Sequence, residues 1–176
     1  MEHTPVAQVH RREDAMIRAA TSADAESVSR IYNHYVTDTV VTFEEETVSP
    51  SAMARRIEEV RSASLPWLVA ELGGQVVGYA YANRWKERSA YRLSAEITVY
   101  LDPAHGGRGI GSRLYGQLIP ILRDRRMHAI IGGIALPNAA SVALHEKFGL
   151  QKVAHFKEVG FKFDRWIDVG YWQCTL

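Results

Sequence analysis

The chain has 176 residues, 47% of them apolar and 23% charged, which fits one soluble domain with a sizeable core. Twenty-one Lys and Arg against 20 Asp and Glu leave a net charge of +1, so neither nucleic acid nor an anionic membrane is called for as a partner. The single cysteine, Cys174, excludes an internal disulfide, and no stretch is apolar enough to span a bilayer; a reducing, cytoplasmic setting is expected.

Residues 1–15 are polar, carry His10, Arg11, Arg12, Glu13 and Asp14, and lack the apolar core of a signal peptide. A flexible arm is expected there, followed by a single domain over 16–176. Residues 16–20 read as a first strand. Thr21 or Ser22 can cap a helix with Asp24 in its first turn, and Ala25, Val28, Ile31, Tyr32 and Tyr35 then recur at helical spacing. Pro50 suits the first turn of a second helix, roughly 51–61. Residues 67–72, the pair Gly73-Gly74 and residues 75–85 form a hairpin pattern. After a polar-aromatic loop, 86–92, a strand runs over 93–101. Leu93, Ala95, Ile97, Val99 and Leu101 share one of its faces, and Ser94, Glu96, Thr98 and Tyr100 the other. A glycine-rich segment, 106–111, opens a helix with Leu114, Leu118, Ile121 and Leu122 on one side. A strand over 129–135, a helix from Asn138 to Gly149, and strands near 153–163 and 167–175 follow. This order predicts an α/β chain, a mixed sheet with helices on both faces. The charge runs 44–46 and 123–126 are short and read as solvated surface.

Three features carry chemistry. In Gly106-Gly107-Arg108-Gly109-Ile110-Gly111, glycines alternate ahead of a helix, where free N–H groups and the positive end of the helix dipole suit a pyrophosphate. Loop chemistry alone leaves a plain strand-to-helix turn equally open. Ser112 stands where a third glycine of a dinucleotide fingerprint belongs, and no Gly-Lys-Ser/Thr is present. Glu96 sits in mid-strand, where acids are depleted; singly it reads as a solvent-facing position, but its strand runs straight into the glycine loop. Asn138, Ser141, His145 and Phe148 follow at steps of three, four and three, one face of a helix. Taken singly they are a cap, a packing serine and a satisfied histidine.

Together these segments, with IYNHY (31–35), LPWLVAE (65–71), GYAYANRWKERSAYR (78–92), AEITVYL (95–101), RGIGSRLY (108–115), ALPNAASVALHEKFGL (135–150) and GFKFDRWIDVGYWQ (160–173), resemble the GNAT N-acetyltransferase superfamily. Within it they are most similar to the phosphinothricin and methionine sulfoximine acetyltransferases. The likeness covers nearly the whole chain from Met16. It implies a mostly antiparallel mixed sheet flanked by helices, acetyl-CoA as cosubstrate, no metal, and a homodimer. It makes Glu96 the general base, directly or through a water, and backbone donors near Val99 and Tyr100 the stabilisers of the developing oxyanion. Val99, Tyr100 and Leu101 with Gly107, Arg108, Gly109, Ile110, Gly111 and Ser112 would hold the cofactor. Asn138 would bond the pantetheine arm, and Lys147 would neutralise a phosphate. His145 fills the slot of a family tyrosine and is either the general acid or a packing residue.

The family's Gln or Arg at the head of the phosphate loop is replaced by Gly106, with His105 and Arg108 beside it to compensate. For the acceptor, the cations Lys86, Arg88 and Arg92 with Tyr91 suit an amine that also bears acidic groups; Thr98 lies on the face of Glu96, and Tyr32, Tyr35 and Phe43 could wall the pocket. An amino acid analogue of the phosphinothricin or methionine sulfoximine type is the expected substrate. The alternatives are another amine (a peptide terminus, lysine or a polyamine) and a non-catalytic acyl-CoA sensor. The basic loop speaks against polyamines, and Glu96 against a sensor. Phe161, Phe163, Trp166, Tyr171 and Trp172 add more aromatic surface than a small hairpin can bury, in line with a dimer.

Overall fold

A computed structural model describes residues 14–176. Most of the arm expected over 1–15 lies outside the described residues; Ala15 is already buried in the core, and Asp14 pairs with Arg113 at 3.0 Å. The elements are β1 (Met16–Ala19), α1 (Ala25–Asp38), α2 (Pro50–Ser62), β2 (Trp67–Leu72), β3 (Gln75–Arg84), β4 (Ser94–Leu101), α3 (Ile110–Asp124), β5 (Ala129–Leu136), α4 (Ala139–Lys147), β6 (Gln151–Lys162) and β7 (Arg165–Thr175). Seven strands form one sheet in the order β1-β2-β3-β4-β5-β7-β6. Every neighbouring pair is antiparallel except β4 and β5.

Local chemistry sets the element ends. The Asp24 carboxylate accepts from Thr21 N at 2.8 Å and is gripped by both Arg18 nitrogens at 2.8 and 2.9 Å, which ties the start of α1 to β1. Ser49 caps α2 by accepting from Ala52 N, with Pro50 in the first turn. α1 runs to Asp38, beyond Tyr35, the last of the recurring positions, and Val36 still buries its side chain in the core. The alternation expected along 93–101 holds at Ala95 and Ile97 and then gives way. Leu93 lies before the strand and is exposed, whereas Tyr100, from the polar set, is buried. The reason is that α1 covers the second face: Tyr100 packs on Tyr32, Tyr35 and Tyr79 at ring distances of 5.2, 5.0 and 5.5 Å.

The two faces of the sheet are covered by different helices. α1 and α2 lie over the side of Tyr79, Tyr81 and Tyr100. α3 lies on the reverse, where Gly78 lets Leu101 and Ile110 approach its backbone, and α4 reaches α3 through Leu144, 3.1 Å from where a Cβ on Gly111 would sit.

β5 pairs with β7 over its full length, from Ala129↔Thr175 to Leu136↔Asp168. With β4 it shares only Ser94↔Ala129, Ala95↔Ile130 and Glu96↔Ile131. Beyond Glu96 the two parallel strands part, and a slot opens in the middle of the sheet.

Candidate active site

The slot is a narrow passage of about 50 Å³ lined by residues of both faces: Thr98 and Tyr100 from the α1 side, Tyr115, Ser141 and His145 from the α3/α4 side, and Gly133, Ala135 and Asn138 along β5 and its end. Its edges carry backbone groups without sheet partners. The bonds Asp102 N to Val77 O and Trp85 N to Ser94 O, with the register between them, assign the even residues of β4 to exchange with β3. Val99 and Leu101 therefore direct N–H and C=O toward the strand that has departed. The Leu101 carbonyl is taken by the Tyr35 hydroxyl at 2.6 Å, and among the described residues Val99 remains as the free donor–acceptor pair. Of the two expected oxyanion donors, Val99 faces the slot, while Tyr100 turns its backbone to Tyr79 and contributes its ring.

Glu96 is the last β4 residue paired with β5. Its side chain projects to the α1/α2 face, and Gly133 makes room for it: a Cβ there would lie 3.2 Å from Oε1. It is half-buried and, among the described residues, makes no hydrogen bond or ion pair. Burial raises its pKa above the usual carboxylate range, and the nearby Lys86 charge offsets part of that rise. It forms the wall of a cavity of about 540 Å³ between the sheet and α1/α2. Trp67, Tyr79 and Tyr81 floor this cavity, Trp67 stacked on Tyr81 at 4.1 Å. Across it, Arg56 grips Glu44 at 2.7 and 3.0 Å, and Tyr32 donates to Glu44 at 2.8 Å.

On the opposite face the glycine loop leads into α3. Gly107 and Gly109 have φ of 72° and 76°, the left-handed region that disfavours side chains. The first intrahelical bond is Arg113 N to Gly109 O, so the N–H groups of Ile110, Gly111 and Ser112 are without helical partners. Lys147 of α4 donates to Ser112 at 3.0 Å, which places a cation at the same helix start. These residues fit a pyrophosphate: unpaired donors, close backbone approach and a positive charge. Arg108 is exposed on the loop.

Asn138 caps α4 through Oδ1, accepting from Ser141 N at 3.1 Å, and its amide NH2 makes no hydrogen bond among the described residues. His145 is 3% exposed. Its Nδ1 donates to Ser141 O at 2.7 Å, which leaves Nε2 to accept from the Tyr115 hydroxyl at 3.1 Å. Burial holds its pKa below the usual value, so the neutral ring is favoured. In that state the one ring proton is held by Ser141 O and not by Tyr115.

Other expected site residues are spread more widely. Thr98 is paired with Tyr81 beside the cavity floor. Phe43 is exposed and packs its ring on Gly160 of β6. Lys86, Arg88 and Tyr91 lie on the loop after β3 and line neighbouring cavities outside the one that holds Glu96. Sequence reasoning missed Glu44, Arg56, Trp67, Tyr81, Asn83 and Tyr115. For Tyr81 and Asn83 a signal existed, since they alternate along the strand that pairs with Thr98 and Glu96. For Glu44 and Arg56 none did, because only the turn between α1 and α2 brings them together. Among the described residues no group of three or more His, Cys, Asp or Glu is arranged to hold a metal.

Comparison with known proteins places this geometry. The model of the acetyltransferase (GNAT) domain matches residues 17–170. The phosphinothricin N-acetyltransferase of Streptomyces viridochromogenes is 39% identical over 162 residues, 92% of this chain and 88% of that protein. The L-methionine sulfoximine/L-methionine sulfone acetyltransferase of Salmonella typhimurium is 36% identical over 160 residues, 91% of this chain and 94% of that one. The crystal structure of a phosphinothricin acetyltransferase from Sinorhizobium meliloti in complex with acetyl-CoA superposes with a TM-score of 0.90 at 35% identity, covering 93% and 89% of the two chains.

Proposed function

Since the chain belongs to the GNAT family and is an acetyl-CoA-dependent N-acetyltransferase, we propose that its acceptor is the α-amine of a small amino acid analogue with a carboxylate and a second polar tetrahedral group, of the phosphinothricin or methionine sulfoximine type. The observation that carries this reading is Glu96: a half-buried carboxylate with no partner among the described residues, at the mouth of the slot and in the wall of the aromatic-floored cavity. An α-ammonium has a reference pKa of about 7.7–8.0 and must lose a proton before it can attack. Glu96 takes that proton, and its raised pKa makes it a better base near neutrality. Acetyl-CoA supplies the activated acyl group, held at the loop 107–112 and along Val99 to Leu101, with the Asn138 amide and Lys147 as further contacts. The Val99 N–H stabilises the negative charge that develops on the carbonyl oxygen. His145 acts as a positioning residue that fixes the Tyr115 hydroxyl behind the slot. Lys86, Arg88 and Tyr91 meet the acidic groups of the acceptor, and Tyr35, Phe43 and Thr98 shape the approach.

The protein also acts as a cytoplasmic homodimer on this reading. Phe161, Phe163 and Trp166 are 51%, 53% and 62% exposed at the tip of the β6–β7 hairpin, an apolar surface that a second copy would cover. Of the two others counted with them in the sequence, Trp172 is buried in the core at 2% exposed, and Tyr171 is half-buried against Trp85 and Phe156. Light scattering at micromolar concentration should give twice the chain mass; a monomer removes the dimer.

The deciding experiment is thiol release from acetyl-CoA across a panel of amines. Phosphinothricin, methionine sulfoximine and methionine sulfone should be turned over fastest. Faster acetylation of lysine peptides or polyamines overturns the acceptor, and no release with any amine overturns catalysis through Glu96.

A further inference from the structure

The cavity that holds Glu96 has a larger neighbour. A second cavity, of about 990 Å³, adjoins it and shares the wall residues Ala63, Leu65, Trp67 and Arg84. The indole N–H of Trp67, on that shared wall, has no acceptor among the described residues. The two cavities differ in charge. The first holds Glu44, Glu59 and Glu96 against Arg56 and Arg84. The second holds Arg61, Arg84, Lys86, Arg88, Arg92 and Arg125, with Glu87 its one carboxylate. Of these six cations only Arg61 forms a salt bridge among the described residues, to Glu58. The others are Arg84 at the end of β3, the loop cations Lys86, Arg88 and Arg92, and Arg125 at the end of α3, so the fold adds distant cations to a basic loop already visible in the sequence. Cations that converge on a concave wall without carboxylate partners raise the local potential and recruit an anion.

We infer that this second cavity receives the acidic end of an acceptor longer than one amino acid, a dipeptide-sized molecule with a free α-amine at one end and carboxylates at the other. The inference rests on the reading that the amine enters the cavity of Glu96. The acidic cavity then takes the ammonium end and the basic cavity the anionic end. One added residue lengthens the molecule by about 3.3–3.6 Å, carrying its carboxylates past the shared wall of Trp67 and Arg84 and into the cavity lined by Arg88, Arg92 and Arg125. Exposed cations such as these act together, each pair contributing modestly.

The test compares methionine sulfone with its dipeptides extended at the carboxyl end by Asp, Ala or Lys. The Asp dipeptide should exceed the Lys dipeptide about tenfold in kcat/KM, and the ratio should fall toward one in ~0.5 M salt, where exposed charges are screened. The double variant Arg84→Glu/Arg92→Glu should invert the order. If it does not fold, the single Arg92→Gln on the exposed loop should still lower the ratio. Turnover of methionine sulfone with no preference between the dipeptides overturns the inference and leaves the proposed function standing. No turnover of any amine overturns the proposed function, and calorimetry with the N-acetylated Asp dipeptide then decides the cavity alone: binding weakened by Arg92→Gln supports it, and binding that is absent or unchanged overturns it.

Discussion

The two faces of the sheet do different work and are built differently. The α3/α4 face is made by close approach. Gly78, Gly111 and Gly132 sit where a Cβ would press on a neighbour, and His145 and Tyr115 are sealed inside. The α1/α2 face is made by spacing. Its aromatic floor leaves a cavity, its ion pair spans that cavity, and Glu96 stands in the wall without a partner among the described residues. The first arrangement suits a ligand whose shape is always the same and which is held by backbone. The second suits an exchangeable ligand met by side chains. The slot between β4 and β5 joins the two.

The largest effect should come from the acceptor face. Glu96→Gln keeps the shape and removes the base, so turnover should fall by about 10²–10⁴ while acetyl-CoA affinity, measured by calorimetry, stays within twofold. The loss should shrink at high pH, where the amine is already neutral. A matching fall in acetyl-CoA affinity would mean that the two faces are not separable.

Gly132→Ala tests the close-packed face. Its new Cβ would collide with the His145 ring, which is held on both nitrogens and cannot yield. Overpacking of this kind costs about 1–3 kcal/mol, to be read as a lower midpoint in urea unfolding. The same change at Gly116, where nothing lies within 4 Å, should not destabilise.

Gly106→Gln should do the opposite and tighten acetyl-CoA binding by about two- to tenfold. The backbone there has φ −61° and ψ 156°, open to any residue, and a Cβ would meet only the Pro103 carbonyl at 3.7 Å. A side-chain donor gained at the loop contributes about 0.5–1.5 kcal/mol. An unchanged affinity would show that the backbone donors already saturate the phosphates.

The smallest effect is on the pH profile. The Lys86 charge holds the Glu96 pKa down against burial, and only the ionised carboxylate accepts a proton. Lys86→Ala therefore raises that pKa, and the acid limb of kcat/KM moves to higher pH. In Glu96→Gln this limb should vanish. A limb that moves to lower pH with Lys86→Ala would assign it to another group.

Much of this was legible along the chain. The hairpin at Gly73-Gly74, the glycine loop before α3 and the helical face of Asn138, Ser141 and His145 each follow from local rules acting over a few residues. Glu96 stood out as an acid in mid-strand beside that loop. The cavity did not stand out. Glu44 belongs to a run of three acids that reads as solvated surface, and its partner Arg56 lies 12 residues on, across a turn. The alternation of β4 likewise misplaced Tyr100, because a strand covered on both faces has no polar side.

The sequence by itself determined the order of elements, the glycine conformations that the loop demands and the residue types that acetyl transfer requires, since these depend on near neighbours in the chain. Only the tertiary structure decided where β5 leaves β4, which proton His145 holds, and that Arg61 and Arg125 join the basic loop beside the cavity of Glu96. These depend on which surfaces come to lie against each other and shed water, and no local spacing records that.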